Sequence, residues 1–208
     1  MHLEEILFII LMRMMIFLTN KAFFDTDYLS SFIRINRVDL ILNKYCKILT
    51  SKQVKKEFDA EGYSPKIKEG FADLCSSGKV EIFEIEEGTE EWDIYMNLMM
   101  LSEDVGKNVG EMSVIALSKA KNSILASNNL KDVCDCVDHY NLKHTTTATE
   151  LVEFCKNKLI DFKQAESYWR TMTQFGISLP KTSFENFYKL CENPCKDFKN
   201  NKFRKIKL

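Results

Sequence analysis

The fold of this chain is decided by a short stretch near its start, Ala22-Phe23-Phe24-Asp25-Thr26-Asp27. Its apolar residues predict a buried strand, and the carboxylates mark the point where that strand ends. Asp27 is a candidate N-cap for the next helix, in which Leu29, Phe32 and Ile33 have helical spacing. The stretch therefore predicts a strand, then a helix, with acidic side chains at their junction.

The same alternation continues along the chain. Further strands are predicted over residues 47–50, 79–86, 123–127 and 142–145, and helical patterns lie between them. Strands that alternate with helices are typical of crossover units in a mostly parallel sheet. The predicted fold class is α/β, with helices flanking a mostly parallel central sheet.

Polar side chains recur where the predicted strands end or the next helices begin. Glu57 lies in the helix after the second strand, and Glu111 opens a later helix. The fourth strand leads to Asn128 and Asn129. In a parallel sheet these positions lie on one rim, the usual place for a site. Carboxylates gathered there with little basic compensation indicate a divalent-metal site, because hard cations prefer oxygen ligands.

Composition excludes some classes of protein. The 208 residues include 29 Lys and Arg against 30 Asp and Glu, so a wholly basic nucleic-acid binder is not indicated, although a local basic patch stays open. The seven scattered cysteines and the lack of a convincing secretory signal indicate reduced thiols and a cytoplasmic location. Cys134, Cys136, His139 and His144 lack the spacing typical of a zinc site, so small buried or half-buried side chains are the favoured interpretation.

Residues 1–19 are interpreted as an apolar N-terminal extension. Its apolar run, residues 6–18, contains Arg13 and is shorter than the about 20 residues that a membrane span needs. Glu4 and Glu5 precede the run and have the wrong sign for a signal peptide. We therefore predict no membrane insertion, and the run is either an element packed on the domain or a non-native extension.

The chain ends in a helical region and a basic tail. Residues 159–195 form a predicted helical extension, which packs on the domain through Phe162, Trp169, Phe184 and Phe187. The tail, residues 196–208, holds six basic residues and one acidic residue. It either contacts RNA phosphates or is a solvated terminus.

Taken in order, the motifs resemble those of PIN-domain nucleases. Phe24-Asp25-Thr26-Asp27 resembles the Asp-Thr-Asn opening of that family, and Val54-x-x-Glu57 resembles its second acidic motif. Gly110-Glu111 resembles the Gly-Glu-Ala form of the third motif. Ser127-Asn128-Asn129 stands where the family usually has Ser or Thr followed by one or two aspartates. The resemblance implies a three-layer PIN-like sandwich, to which we assign residues 20–158.

The resemblance also implies a function. It implies an endoribonuclease that depends on Mg²⁺ or Mn²⁺, with RNA as substrate, and many bacterial members are toxins held in check by an antitoxin. Asp25, Glu57 and Glu111 would be the catalytic metal ligands, with Asp25 the most direct. Auxiliary roles fall to Thr26, Asp27, Ser127, Asn128 and Asp132. An antitoxin protein and a second copy of the chain are the candidate partners.

One departure from the family pattern leaves alternatives open. Asn128 keeps a carbonyl oxygen but lacks a charge, and fewer charged ligands weaken Mg²⁺ binding. Asp27, which replaces the usual Asn, and Asp132, one helical turn beyond Asn128, are the candidates to compensate. Without compensation, the chain is a catalytically weakened PIN-like module that binds RNA or a protein partner. A third hypothesis is an interaction protein whose helices after residue 160 bind a partner helix.

Overall fold

The computed structural model of the protein describes residues 21–60, 62–101 and 108–192. The interpretations of residues 1–19 and of the tail, residues 196–208, lie outside these described residues. The side chain of Asp132 lies outside them too.

A five-stranded parallel sheet forms the centre of the molecule, with the strand order β3-β2-β1-β4-β5. The strands are β1 (Ala22–Phe24), β2 (Ile48–Ser51), β3 (Val80–Phe83), β4 (Ile124–Ala126) and β5 (Lys143–Thr145). Each coincides with a predicted strand. The chain runs outward from β1 to β3 and then returns to β4 on the other side of β1. The crevice outside the carboxyl ends of β1 and β4 is therefore the switch point at which α/β sheets bind ligands.

Helices flank the sheet, which confirms the predicted fold class. The described residues contain α1 (Thr26–Arg34), α2 (Val38–Tyr45), α3 (Lys52–Asp59), α4 (Pro65–Ser76), α5 (Glu90–Leu101), α6 (Val109–Ala120), α7 (Leu130–Tyr140), α8 (Thr147–Lys156), α9 (Phe162–Gln174) and α10 (Phe184–Glu192). In that part of the chain, no helix is long and apolar enough to cross a bilayer.

The start of α1 differs from the prediction. The N-cap is Asp25, whose side chain accepts a hydrogen bond from the Tyr28 backbone N–H at 2.7 Å, and Asp27 lies in the first turn of the helix. The helical pattern also breaks after α1, where Asn36 adopts a left-handed φ of 55° before α2 begins. Asparagine tolerates that conformation better than most residues.

The core is built around β1, which is buried along its whole length. Aromatic rings continue from it into α1 and on to α8: Phe24 contacts Tyr28, Tyr28 contacts Phe32, and Phe32 contacts Phe154, with centroid distances of 5.4, 5.4 and 6.0 Å. Burying such rings stabilises the fold, and it fixes the direction in which β1 delivers Asp25.

The last two helices pack on this domain. Trp169, Phe184 and Phe187 are buried, and the indole N–H of Trp169 donates to the Thr182 carbonyl at 3.1 Å. Phe162 is 37% exposed, so it lies at the edge of this aromatic cluster, beside Phe184 and Tyr188.

Candidate active site

Asp25 lies at the centre of the carboxyl rim of the sheet. Its backbone N–H donates to the Ala126 carbonyl of β4 at 3.0 Å, so the residue is fixed between the two strands at the switch point. Asp25 is 4% exposed. A carboxylate therefore sits in the crevice, nearly out of contact with bulk water.

This burial changes the acidity of Asp25. It raises the pKa of the carboxyl from 3.8 to about 7, against the opposing effect of hydrogen bonds from Ser127 and from the Tyr28 backbone. The charges of Asp27 and Glu57 raise that pKa further. Desolvation and like charges both disfavour the ionised form, and a bound cation would favour it.

Glu57 reaches the crevice from α3 and is held at both carboxylate oxygens. The Thr26 hydroxyl donates to Oε2, and the Gly110 backbone N–H donates to Oε1 at 2.9 Å. Gly110 lies in the first turn of α6, where backbone N–H groups attract anions. A Cβ at Gly110 would overlap the Glu57 carboxylate, so glycine is the residue that lets the two come together.

Glu111 follows Gly110 and is held by the segment that leaves β4. The Ser127 hydroxyl donates to Oε1 at 3.1 Å, and the Asn129 side-chain amide donates to Oε2 at 2.9 Å. Glu111 is buried, at 8% exposure. Neutral donors thus orient Glu111, as Thr26 and Gly110 orient Glu57.

Asn128 faces away from these carboxylates. Its Oδ1 accepts a hydrogen bond from the Thr147 backbone N–H at 2.8 Å, at the start of α8. Its Nδ2 donates to the Ser31 hydroxyl at 3.3 Å, and Ser31 in turn donates to the Asp27 carbonyl. Asn128 therefore ties β4 to α8 and α1, whereas the neighbouring Asn129 faces Glu111.

Together these residues form a small acidic pocket of about 120 Å³, lined by Asp25, Thr26, Asp27, Glu57, Tyr63, Asn108, Glu111 and Asn129. Of the residues proposed from the sequence, it brings together Asp25, Glu57 and Glu111 with Thr26 and Asp27. Ser127 lies beside it through Glu111. Sequence reasoning missed Tyr63 and Asn108, which lie outside regular elements where no periodic pattern marks them, and it assigned no separate role to Asn129.

The donor chemistry of the acidic pocket fits a hard divalent cation. Four carboxylates line it, and no lysine or arginine is among its described lining residues. Within residues 21–60, 62–101 and 108–192, however, no three carboxylate, thiol or imidazole groups are arranged so that they could hold one ion. Glu57 and Glu111 accept hydrogen bonds from neutral donors in this arrangement, so an ion would have to replace or share those contacts.

His144 has a structural contact. Its Nε2 lies 2.9 Å from the Ser127 carbonyl, and burial lowers the pKa of the imidazole. It thus braces the segment after β4 that carries Ser127 and Asn129.

Comparison with known proteins gives one match. A family model described as a PIN domain matches residues 21–193. The matched region includes every residue of the acidic pocket, and both C-terminal helices. Neither the curated proteins nor the solved structures include one that matches this chain.

Proposed function

The chain belongs to the PIN domain family, and from that premise we propose that it is an endoribonuclease dependent on Mg²⁺ or Mn²⁺. PIN domains are in general nucleases. The observation that supports the proposal is the acidic pocket, which Asp25, Glu57 and Glu111 all line at the switch point of the sheet, without a cationic side chain among its described lining residues.

We assign the metal to Asp25, Glu57 and Glu111. When bound, the ion would activate a water molecule and stabilise the charge that develops on the phosphate. Thr26 orients Glu57 through its hydroxyl, and Ser127 and Asn129 orient Glu111. A bound cation would pair the Asp25 carboxylate and favour its ionised form, whereas without a cation the cost of an unpaired buried charge favours the protonated form.

Asp27 and Asn129 decide how strongly the site attracts an ion. Asp27 is exposed and lines the pocket, so it adds negative charge at the mouth of the site. Asn129 offers only a neutral amide at the second of the two positions after Ser127, where the family has one or two aspartates. We propose that Asp27 partly compensates for this lost charge; no contribution is assigned to Asp132.

The biological setting proposed here follows from the family resemblance. We propose an RNA substrate, a cytoplasmic location and a toxin role in which an antitoxin protein, and a second copy of the chain, are the partners. A small open reading frame next to the gene for this chain, encoding an antitoxin-like protein, would support the toxin role.

The test is cleavage of a mixed RNA pool with Mn²⁺ and with a chelator. Loss of a residue that only supports a metal ligand typically lowers activity about 10- to 100-fold. Asp25→Asn removes a proposed ligand itself and should lower the cleavage rate by more than that. Asp73→Asn, an exposed aspartate on α4, is the matched control and should cleave like the native protein. Cleavage that survives both the chelator and Asp25→Asn would overturn the proposal.

A second candidate function is that of an RNA-binding module with little catalytic power. The observation that favours it is the neutral Asn129 amide, which donates to Glu111 where a second aspartate of the family pattern would add charge. It predicts RNA binding without measurable Mn²⁺ binding by calorimetry. Native protein that binds Mn²⁺ and cleaves RNA would exclude it.

A further inference from the structure

A second and larger pocket lies along the edge strand β5, away from the acidic pocket. It has a volume of about 690 Å³ and is lined by all of β5, by the turns that lead into β4 and β5, by the ends of α2, α6 and α7, and by the first residue of α5. The two pockets share no lining residue. Pockets of about 300–1,000 Å³ are the usual size for small-molecule sites. We call this cavity the edge pocket.

The charge of the edge pocket is opposite to that of the acidic pocket. Its described lining residues include Lys44, Lys119 and Lys143, against the single carboxylate of Glu90. Lys44 is paired with the buried Glu150 at 2.6 Å, and Lys119 donates to the Tyr140 carbonyl at 3.3 Å. A carbonyl does not neutralise an ammonium group. Lys119 and Lys143 therefore give the pocket positive charge that can attract an anion.

A buried hydroxyl in the same lining lacks a partner. Ser118 is fully buried, and its Oγ makes no hydrogen bond in the described part of the protein, not even to a carbonyl of its own helix. Most buried polar atoms are hydrogen-bonded, because an unmet donor or acceptor is costly. The hydroxyl has no exposed surface, so a ligand in the edge pocket would contact the wall that carries Lys119 and Lys143 and not Ser118 Oγ.

Aromatic rings and side-chain amides complete the lining of the edge pocket. Tyr45 and Tyr140 contribute aromatic rings, and Asn122 and Asn141 contribute amides at the two turns. A nucleotide needs three kinds of contact. Lysines bind its phosphate, amides form hydrogen bonds with the polar edge of its base, and an aromatic ring stacks on the base. We propose that the edge pocket binds a phosphorylated ligand of about nucleotide size, with its phosphate at Lys119 and Lys143 and its flat ring beside Tyr140.

Calorimetry in the presence of EDTA tests this, since the chelator removes any ion from the acidic pocket. The probes are the four nucleoside 5′-monophosphates, the matching nucleosides, ribose 5-phosphate and inorganic phosphate. At least one nucleotide should bind with a Kd below about 1 mM, and more tightly than its nucleoside or the phosphates that lack a base. Failure of every nucleotide to bind, or equal binding of nucleoside or ribose 5-phosphate, would overturn the proposal.

Two variants locate the ligand. Lys143→Ala should weaken nucleotide binding several-fold, whereas Lys163→Ala, an exposed lysine on α9, removes the same charge and should bind like the native protein. Lys119→Ala should weaken binding to a similar extent, because the phosphate is placed at both lysines. If either Lys143→Ala or Lys119→Ala binds nucleotide like the native protein, the ligand does not occupy the edge pocket.

Discussion

Asp25 combines two roles that conflict when no cation is present. As an N-cap it accepts the Tyr28 N–H, and the start of a helix favours its negative charge. Asp25 is also only 4% exposed, and loss of solvent destabilises its charged form. The effect of burial exceeds that of the hydrogen bonds, since the pKa of Asp25 rises to about 7. The protein therefore holds a carboxyl that is unstable as an anion unless a positive charge arrives.

The first prediction is that the metal-free protein loses stability as the pH rises from about 4 to about 7. Unfolded Asp25 releases its proton near 3.8 and folded Asp25 near 7, so the folded state binds more protons across this window and the free energy of unfolding falls. The loss from this residue is at most roughly 4 kcal/mol, since each pKa unit corresponds to about 1.4 kcal/mol. Urea denaturation at several pH values, with EDTA present, measures it.

Asp25→Asn is the control for that pH profile. Asparagine retains an oxygen that can cap α1 but does not titrate, so its stability curve should be flatter than that of the native protein between these pH values. Native and variant curves of the same slope would show that the pKa of Asp25 is not raised by burial.

The second prediction distinguishes the two adjacent asparagines. Asn129→Asp adds a carboxylate beside Glu111 in the acidic pocket and should raise Mn²⁺ affinity about tenfold or more, because close charge pairs at an effective dielectric of 20 interact by about 4 kcal/mol before desolvation. Asn128→Asp keeps the bond to Thr147 but loses the amide donor to Ser31, so it should leave Mn²⁺ affinity unchanged and lower stability by about 1 kcal/mol. Calorimetry measures the Mn²⁺ affinity of both variants, and urea denaturation measures their stability.

The opposite pattern, with tighter metal binding in Asn128→Asp alone, would place Asn128 in the site.

At the scale of the elements, the first turn of α6 positions Glu57. The third prediction is that Gly110→Ala weakens Mn²⁺ binding about 10- to 100-fold, because the new Cβ displaces the Glu57 carboxylate from its place. Only the flexible end of a side chain must move, so the thermal midpoint should change little. Gly62→Ala is the matched control, since a Cβ there meets no atom within 4 Å. Equal metal affinity in Gly110→Ala and native protein would mean that Glu57 is not a ligand.

Most of the fold could be predicted because its strands are short, apolar and bounded by polar residues. Each of the five lies within a predicted strand or within one residue of it, and Ser51 caps α3 as its hydroxyl accepts from the Val54 N–H at 3.0 Å. The helix starts were harder to place where two acceptors lie close together. Asp25 and Asp27 are both capping residue types, and only the backbone geometry selects Asp25.

The site could be predicted in part. Carboxylates placed after strands mark the rim on which Asp25 lies, but sequence does not show which of two neighbouring amides faces it. Asn128 accepts a hydrogen bond from the start of α8, and Asn129 donates one to Glu111. Both contacts join residues far apart in the chain. The close approach of Gly110 to Glu57 spans 53 residues and is equally invisible in a linear pattern.

The fourth prediction concerns the two C-terminal helices. Trp169→Ala should cost about 3–5 kcal/mol of unfolding free energy, because it leaves a cavity among Phe184 and Phe187 and an unmet carbonyl at Thr182. Phe175→Ala, at a position that is 48% exposed, should cost about 1 kcal/mol or less. Urea denaturation measures both. Equal costs would show that α9 and α10 do not share the core of the domain.

At the scale of the whole molecule, charge is divided unevenly along the chain. The tail, residues 196–208, holds six basic residues and one acidic residue, which leaves 23 basic and 29 acidic residues in the rest. The part of the chain that carries the acidic pocket is therefore net negative and repels RNA. A divalent ion can offset this repulsion at the pocket, and the tail can offset it elsewhere along an RNA strand.

The fifth prediction is that the tail supplies most of the salt-dependent affinity for RNA. Single strands give a slope of log K against log salt of about −0.7 for each phosphate neutralised, so a tail that uses all its basic residues would give a slope near about −4. Removing residues 196–208 from the Asp25→Asn variant, which is used because we expect it not to cleave the probe, should lower RNA affinity and bring the slope towards zero. Fluorescence anisotropy with a short single-stranded RNA at several KCl concentrations measures both. A second version of the tail, with its basic residues replaced by glutamine, separates charge from length and should behave like the truncation. If the truncated protein keeps the slope of the full chain, the phosphates are held by lysines of the folded domain, with Lys119 and Lys143 the first to replace.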